Sequence, residues 1–261
     1  MTSEFGYFSL AQTEPAQTSA HFGTIRVMSQ FPSGQTLLID ADDTLWENNI
    51  YFERAIAAFI SYLDHQTHTA AQVRAVLNAC EHETIAARGY GLHSFRQSLV
   101  NCYRRLAVHP VTSQHVERIH SFTSIIQEHP IELLPGVANT LGLLAARHRL
   151  ILMTKGDPVE QTGKIHRSGL APHFSAVEIV AEKNPETYRS VTARHNLAPA
   201  SSWMIGNSPK SDINPALAAG LHAVYLFHKD TWILEHADVS APQPPQRLIE
   251  LDAFARLSEF F

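Results

Sequence analysis

Residues 36–45, Thr36-Leu37-Leu38-Ile39-Asp40-Ala41-Asp42-Asp43-Thr44-Leu45, decide the fold. A short apolar run without polar alternation ends on a carboxylate. That is the pattern of a strand buried on both faces that delivers an acid at its carboxyl end. Four similar apolar runs recur, at 150–153, 176–180, 203–205 and 223–227, and each reads as a buried strand. Amphipathic segments separate the later four. One follows Asp157-Pro158 and stops at Gly169, one opens with Asn184-Pro185, where proline suits a first helical turn, and one runs over 212–220. Strands alternating with helices predict a Rossmann-like, doubly wound parallel sheet, an α/β fold.

The first strand breaks this rhythm. Roughly a hundred residues separate it from the second run, far more than a connecting loop needs, and they carry helical periodicity only. Phe52, Ile56, Phe59, Ile60 and Leu63 share one helical face. Thr69 and Gln72 form a capping-box signature, Val73, Val76, Leu77 and Cys80 continue that helix, and Gly89 ends it. Phe95, Leu99, Cys102 and Leu106 make a third stripe, and Val116, Ile119, Phe122 and Ile126 a fourth, stopped by Pro130. The expected organisation is a poorly ordered N-terminal extension at 1–35, a core from 36–45 and 135–239, and a helical cap inserted at 46–134. A linker and short terminal helix complete it at 240–261, the helix over 248–257.

Composition narrows the function. Of 261 residues, 44% are hydrophobic, enough for a packed core and too many for a disordered chain. Net charge is −5, which gives no electrostatic case for nucleic acid. The two cysteines, Cys80 and Cys102, cannot make a disulfide framework or a four-cysteine zinc site; both fall on apolar helix faces. No apolar run reaches membrane-spanning length, and no basic region precedes an apolar stretch at the N-terminus, so a cytoplasmic protein without a membrane partner is expected. Met28 is a second candidate start. The sixteen histidines show no metal-ligand spacing.

Ligands of open parallel sheets bind beyond the carboxyl ends of the strands. Here those ends carry Asp40 and Asp42, Thr154-Lys155-Gly156-Asp157, Glu182-Lys183-Asn184-Pro185, and Gly206-Asn207-Ser208-Pro209-Lys210-Ser211-Asp212. Each residue alone reads as a turn or a cap. Together they suit phosphoryl chemistry: one carboxylate as nucleophile, a second two residues on as acid and base, and a lysine with hard oxygen ligands to offset the charge.

The four stretches resemble the haloacid dehalogenase-like superfamily of hydrolases, in its phosphoglycolate-phosphatase-like branch. The resemblance covers about residues 36–230 and includes the insert, which looks like the family's helical type-1 cap. It implies a phosphatase of a small phosphorylated metabolite that works through an aspartyl-phosphate. It assigns Asp40 as nucleophile, Asp42 as general acid and base, and Thr154 and Lys183 as further catalytic residues that bind phosphate. It implies Mg²⁺ as cofactor, held by Asp40, the carbonyl of Asp42, Asn207 and Asp212. Lys155 and Gly156 join the substrate-binding set. Most members carry an acid where this chain has Asn207, which predicts weaker Mg²⁺ binding. Phosphomutase, haloacid dehalogenase and catalytically weak ligand-binding members are the alternatives within the superfamily, although its dehalogenases lack the second acid of the first motif. A receiver-type phosphoacceptor uses similar residues, but has no comparable insert.

Within the insert, the Gly-flanked turn 87–93 predicts substrate contacts from Arg88, Tyr90, His93 and Arg96. Trp46 and Glu47 are placed at the entrance or the hinge. Trp203, at a strand start, reads as core.

Overall fold

The computed structural model describes residues 30–63 and 67–261. They form a six-stranded, all-parallel sheet ordered β3-β2-β1-β4-β5-β6. The strands are β1 (Thr36–Ile39), β2 (Arg149–Lys155), β3 (Ala176–Val180), β4 (Ser202–Gly206), β5 (His222–Leu226) and β6 (Leu248–Leu251). Strand order reverses at β1, which lies between β2 and β4. This switch point opens a crevice at the carboxyl end of β1, where the chain delivers Asp40.

The apolar runs face both ways. Leu37, Ile39, Leu150, Leu152, Trp203 and Ile205 pack against α6 (Val137–Ala145) through Val137, Leu141 and Leu144. Leu38, Ile151, Met153 and Met204 pack on the other face against Tyr188 and Val191 of α8 (Pro185–Arg194) and Ala216 of α9 (Asn214–Ala218). Alternate residues of one strand thus feed two cores, which is why no polar residue interrupts these runs. Helix α7 (Pro158–Ser168) joins β2 to β3, capped by Asp157, whose carboxylate accepts from the Val159 and Glu160 N–H groups.

A third core lies wholly within the insert. It gathers Ile56 and Phe59 of α1 (Asn49–Tyr62), Val73, Leu77 and Cys80 of α2 (Ala70–Arg88), and Phe95, Leu99 and Cys102 of α3 (Leu92–Leu106). Ile119 of α4 (Ser113–Ser121) completes it. Both thiols are free and buried, and burial pushes that of Cys102 up to about 12. The capping box of Thr69 and Gln72 forms. The fourth stripe is not one helix. It divides at Phe122–Thr123 into α4 and α5 (Ser124–Glu128), where Thr123 Oγ1 donates to the His120 carbonyl and competes with the helical ladder.

Two expectations at the termini need correction. Residues 248–257 are not a terminal helix: β6 extends the sheet, and a 3₁₀ turn follows at Phe254–Glu259. The β5–β6 register pairs Val224 with Ile249 and Leu226 with Leu251, so this apolar segment is used as an edge strand. The expected extension lies outside the described residues as far as residue 29, as does Met28. Beyond it, Phe31 packs on Trp203 and Phe261, and Gln35 Oε1 accepts from Trp203 Nε1 at 3.1 Å, so the core begins before residue 36. Trp203 is 1% exposed, as a core residue should be. No helix among the described residues is long and apolar enough to cross a membrane.

Candidate active site

The carboxyl ends of β1, β2 and β4 meet the insert around one cavity of about 160 Å³. Its wall includes Asp40, Asp42, Thr154, Lys155, Gly156, Lys183, Asn207 and Asp212, so the sheet-end residues singled out in the sequence converge. Asp40 is held in place by its backbone, whose N–H donates to the Ile205 carbonyl at 2.9 Å, and by Thr44 Oγ1, which donates to Oδ2 at 3.1 Å.

Lys183 lies between two of the carboxylates. Its ammonium donates to Asp40 Oδ1 and, at 2.7 Å, to Asp212 Oδ1. Burial alone would push this lysine down, but Asp212 and Asp40 outweigh it and hold its pKa above the ordinary value. Burial pushes Asp40 up to about 7; Lys183 opposes the shift, and the Asp212 and Asp42 carboxylates add to it. Asp212 also accepts the Ser208 N–H at 2.9 Å through Oδ2. A Cβ at Gly206 would lie 2.2 Å from that same oxygen, so only glycine lets Asp212 reach its position.

Asp42 follows Asp40 by two residues and forms an isolated parallel bridge with Trp46. The chain turns at Asp43, which adopts φ 58°, a left-handed conformation that aspartate tolerates better than most residues. The Asp43 carboxylate accepts from the Asn48 and Asn49 N–H groups, which opens α1. Burial pushes Asp43 up to about 7, against those two hydrogen bonds. Asp42 accepts from Trp46 Nε1 at 2.7 Å, from Gln161 Nε2 at 2.9 Å, and from Lys164. Its burial opposes ionisation, but the Lys164 charge and these hydrogen bonds prevail and hold its pKa below the ordinary value.

The turn 87–93 divides its four candidates. Tyr90 reaches the cavity: its hydroxyl donates to Glu182 Oε2 at 2.8 Å and accepts from Lys155 Nζ at 3.1 Å. Arg88 and His93 are exposed and lie off the cavity wall. Arg96 is also off it, because its guanidinium donates to Thr123 Oγ1 and Gln127 Oε1 and ties α3 to α5. Lys155 is fully engaged, with further bonds to Ser211 Oγ and Glu235 Oε1 at 2.7 Å each. Burial works against its charge, but Glu235, Tyr90 and Glu182 hold its pKa above the ordinary value. Gly156 adopts φ 146°, which requires glycine. Trp46 is buried and bridges Leu133 in antiparallel fashion, so it anchors the two chain crossings between sheet and insert. Glu47, beside it, donates its N–H to the Glu132 carbonyl at 2.9 Å.

A family model described as haloacid dehalogenase-like hydrolase matches residues 35–220. The chain belongs to this family. A haloacid dehalogenase-like family hydrolase from Xanthomonas campestris has the same fold. Its TM-score is 0.70 at 29% identity, over 87% of this chain and 93% of that one. L-2-haloacid dehalogenase from Xanthobacter autotrophicus aligns with TM-score 0.58 and 15% identity, over 86% of this chain and 96% of that one. A phosphoserine phosphatase from Thermus thermophilus is 35% identical over 92 residues, which are 32% of this chain and 37% of that protein. The chain thus matches little more than a third of that relative's length.

Several lining residues of this haloacid dehalogenase-like hydrolase escaped the sequence reading. Gln161 and Lys164 share one face of α7 at helical spacing, a signal that was available. Glu235 and Trp232 come from the loop after β5, where nothing local marks them. Glu81 interrupts the apolar face of α2 between Leu77 and Thr84. A second group, Asp43, Glu47 and His228, brings ligand atoms within 4.8 Å of one another. It shares no residue with the metal set expected from the motifs.

Proposed function

We propose that this hydrolase is a Mg²⁺-dependent phosphatase of a small phosphorylated metabolite. The observation that carries the reading is the placement of Asp40: a carboxylate at the switch point of the sheet, 7% exposed, between Lys183 and Thr44 on a cavity wall.

The donor set suits a divalent cation. Asp40 and Asp212 share one ammonium, and Lys164 is taken by Asp42, so negative charge is left over before a phosphate dianion arrives. Burial pushes Asp40 up to about 7, and the Asp212 and Asp42 carboxylates add to the shift against Lys183. Asp40, the carbonyl of Asp42, Asn207 and Asp212 are hard oxygen donors that would hold Mg²⁺. When bound, the ion neutralises charge on the phosphoryl oxygens and steadies the transferring group.

In this reading an Asp40 oxygen attacks phosphorus as the P–O bond to the leaving alcohol breaks. Asp42 gives that oxygen a proton, then takes one from the water that attacks phospho-Asp40. Inorganic phosphate and free Asp40 result. Since Lys164 holds Asp42 ionised before substrate enters, Asp42 must take up a proton from water or from a phosphate monoanion as substrate binds, and the negative charge of the phosphate favours that uptake. Thr154 and Lys183 bind the phosphoryl oxygens, Gly156 lets the backbone approach them, and Lys155 positions Tyr90. Residues 46–134 serve as the cap that closes over the substrate, on a core of 36–45 and 135–239. The expected compartment remains the cytoplasm.

A second reading, carbon–halogen hydrolysis, is favoured by the uncharged Asn207 but opposed by Asp42, which that chemistry does not need. The test is turnover of p-nitrophenyl phosphate with Mg²⁺. Turnover that is lost in Asp40→Asn supports the phosphatase; halide release from 2-chloropropionate without phosphatase activity refutes it.

A further inference from the structure

We propose that Glu81 selects the leaving group, and that the cavity accepts a phosphate monoester whose alcohol carries an ammonium on a short apolar chain. This rests on the phosphatase reading and deepens it.

Glu81 lies mid-helix in α2 and lines the same cavity as Asp40, yet it is only 5% exposed. Its Oε2 is buried with no hydrogen-bond partner among the described residues. The cation whose charge bears on it, Arg74, is occupied: its guanidinium grips both oxygens of Glu53 at 2.6 and 2.7 Å and donates to Asn78. An unpaired carboxyl in an apolar wall disfavours folding, so its presence on a cavity points to a partner that arrives from outside. Burial pushes the Glu81 carboxyl up to about 7, against the opposing charge of Arg74. A ligand cation would favour its ionised form.

The wall around it fits such a cation. Phe52 and Ile56 from α1, Ile85 from α2 and Phe95 from α3 supply apolar surface. The rings of Phe52 and Phe95 pack edge to face with centroids 5.0 Å apart, and aromatic faces attract organic ammonium groups. The opposite charge finds no equal welcome. The cations among the lining residues are Lys155, Lys164 and Lys183, and each already contacts a carboxylate. No arginine is among those lining residues. A substrate carboxylate would therefore have to displace an existing ion pair, whereas an ammonium would complete one.

The test compares 3-aminopropyl phosphate with n-butyl phosphate, matched in length, in the presence of Mg²⁺. Wild type is expected to favour the amine in kcat/KM by about tenfold or more, and Glu81→Gln to bring the ratio near one. Each ratio is taken within one protein, so a partly folded variant does not distort it. Wild-type calorimetry with 3-aminopropylphosphonate and n-butylphosphonate gives a second measure that needs no turnover. Tighter binding of the amine supports the proposal. Equal affinities, absence of binding by either phosphonate, or a ratio unchanged in Glu81→Gln overturns it. Absence of p-nitrophenyl phosphate turnover overturns the phosphatase reading instead, and leaves the phosphonate comparison to decide on Glu81.

Discussion

Lys164 Nζ stands 2.9 and 2.8 Å from the two carboxylate oxygens of Asp42, across 122 residues of sequence. The same ammonium donates to Asn48 Oδ1 at 2.8 Å, so one side chain of α7 ties the first motif to the start of the insert. Lys164→Met leaves Asp42 as a partly buried anion beside Asp40. Its removal is expected to destabilise the protein by about 2 kcal/mol, the range for hydrogen bonds to charged groups, and to lower kcat by about tenfold or more. Urea unfolding and steady-state kinetics check the two effects; a wild-type kcat would separate Lys164 from the chemistry.

Gly206 is the second target. The 2.2 Å approach of Asp212 Oδ2 leaves no room for a methyl group. Gly206→Ala must push Asp212 from Lys183 and from the Ser208 N–H. The expected outcome is a loss of about 2–3 kcal/mol in stability together with loss of Mg²⁺-dependent activity. A variant that unfolds like wild type would show that the strand end yields easily.

Asn207 exchanges charge for neutrality. Its Oδ1 accepts from Thr44 Oγ1 at 3.3 Å, and its Nδ2 donates to Thr231 Oγ1 at 3.0 Å. Asn207→Asp loses the second bond and adds a carboxylate near Asp40 and Asp212. The metal-free variant should melt lower than wild type, while its apparent Mg²⁺ affinity rises roughly tenfold. Thermal melts across a Mg²⁺ titration read both; an unchanged affinity would deny that residue 207 faces the ion.

Stability should fall in acid partly through His148. This residue is 7% exposed, neither ring nitrogen has a hydrogen-bond partner among the described residues, and its ring meets Phe261 edge-on. Burial, then the charge of Arg147, pushes its pKa from 6.5 down to about 4. Between those values the unfolded chain binds the proton that the folded one refuses. The contribution of the neutral ring is complete above pH 6.5 and lost as pH falls towards 4. His148→Phe should flatten the decline in urea midpoint between pH 7 and pH 4.5; an unaltered slope would place the acid sensitivity elsewhere.

The sheet was legible because both faces of the central strands β1, β2 and β4 are buried, which leaves runs such as 150–153 without polar interruption. The sheet-end residues were legible for a related reason: a strand end is a position that sequence marks. β6 was misread because four residues with one apolar face suit a helix or an edge strand, and only pairing with β5 decides between them. Arg88, Tyr90, His93 and Arg96 could not be sorted in advance, since a turn's direction depends on what docks against it. Here the Leu92 N–H donates to Glu160 of α7 and fixes Tyr90 inward. Glu235 had no local mark, because its role comes from reaching Lys155 across 80 residues.

The bridge between Trp46 and Leu133 has an evolutionary corollary. Chain leaves the sheet and returns to it at paired residues, within a few ångströms, while the helices between them gather around a hydrophobic cluster of their own. Helices there can be lengthened, exchanged or resurfaced without altering the path of β1 or the aim of Asp40. A lineage could thus change what it recognises while it inherits the reacting centre intact.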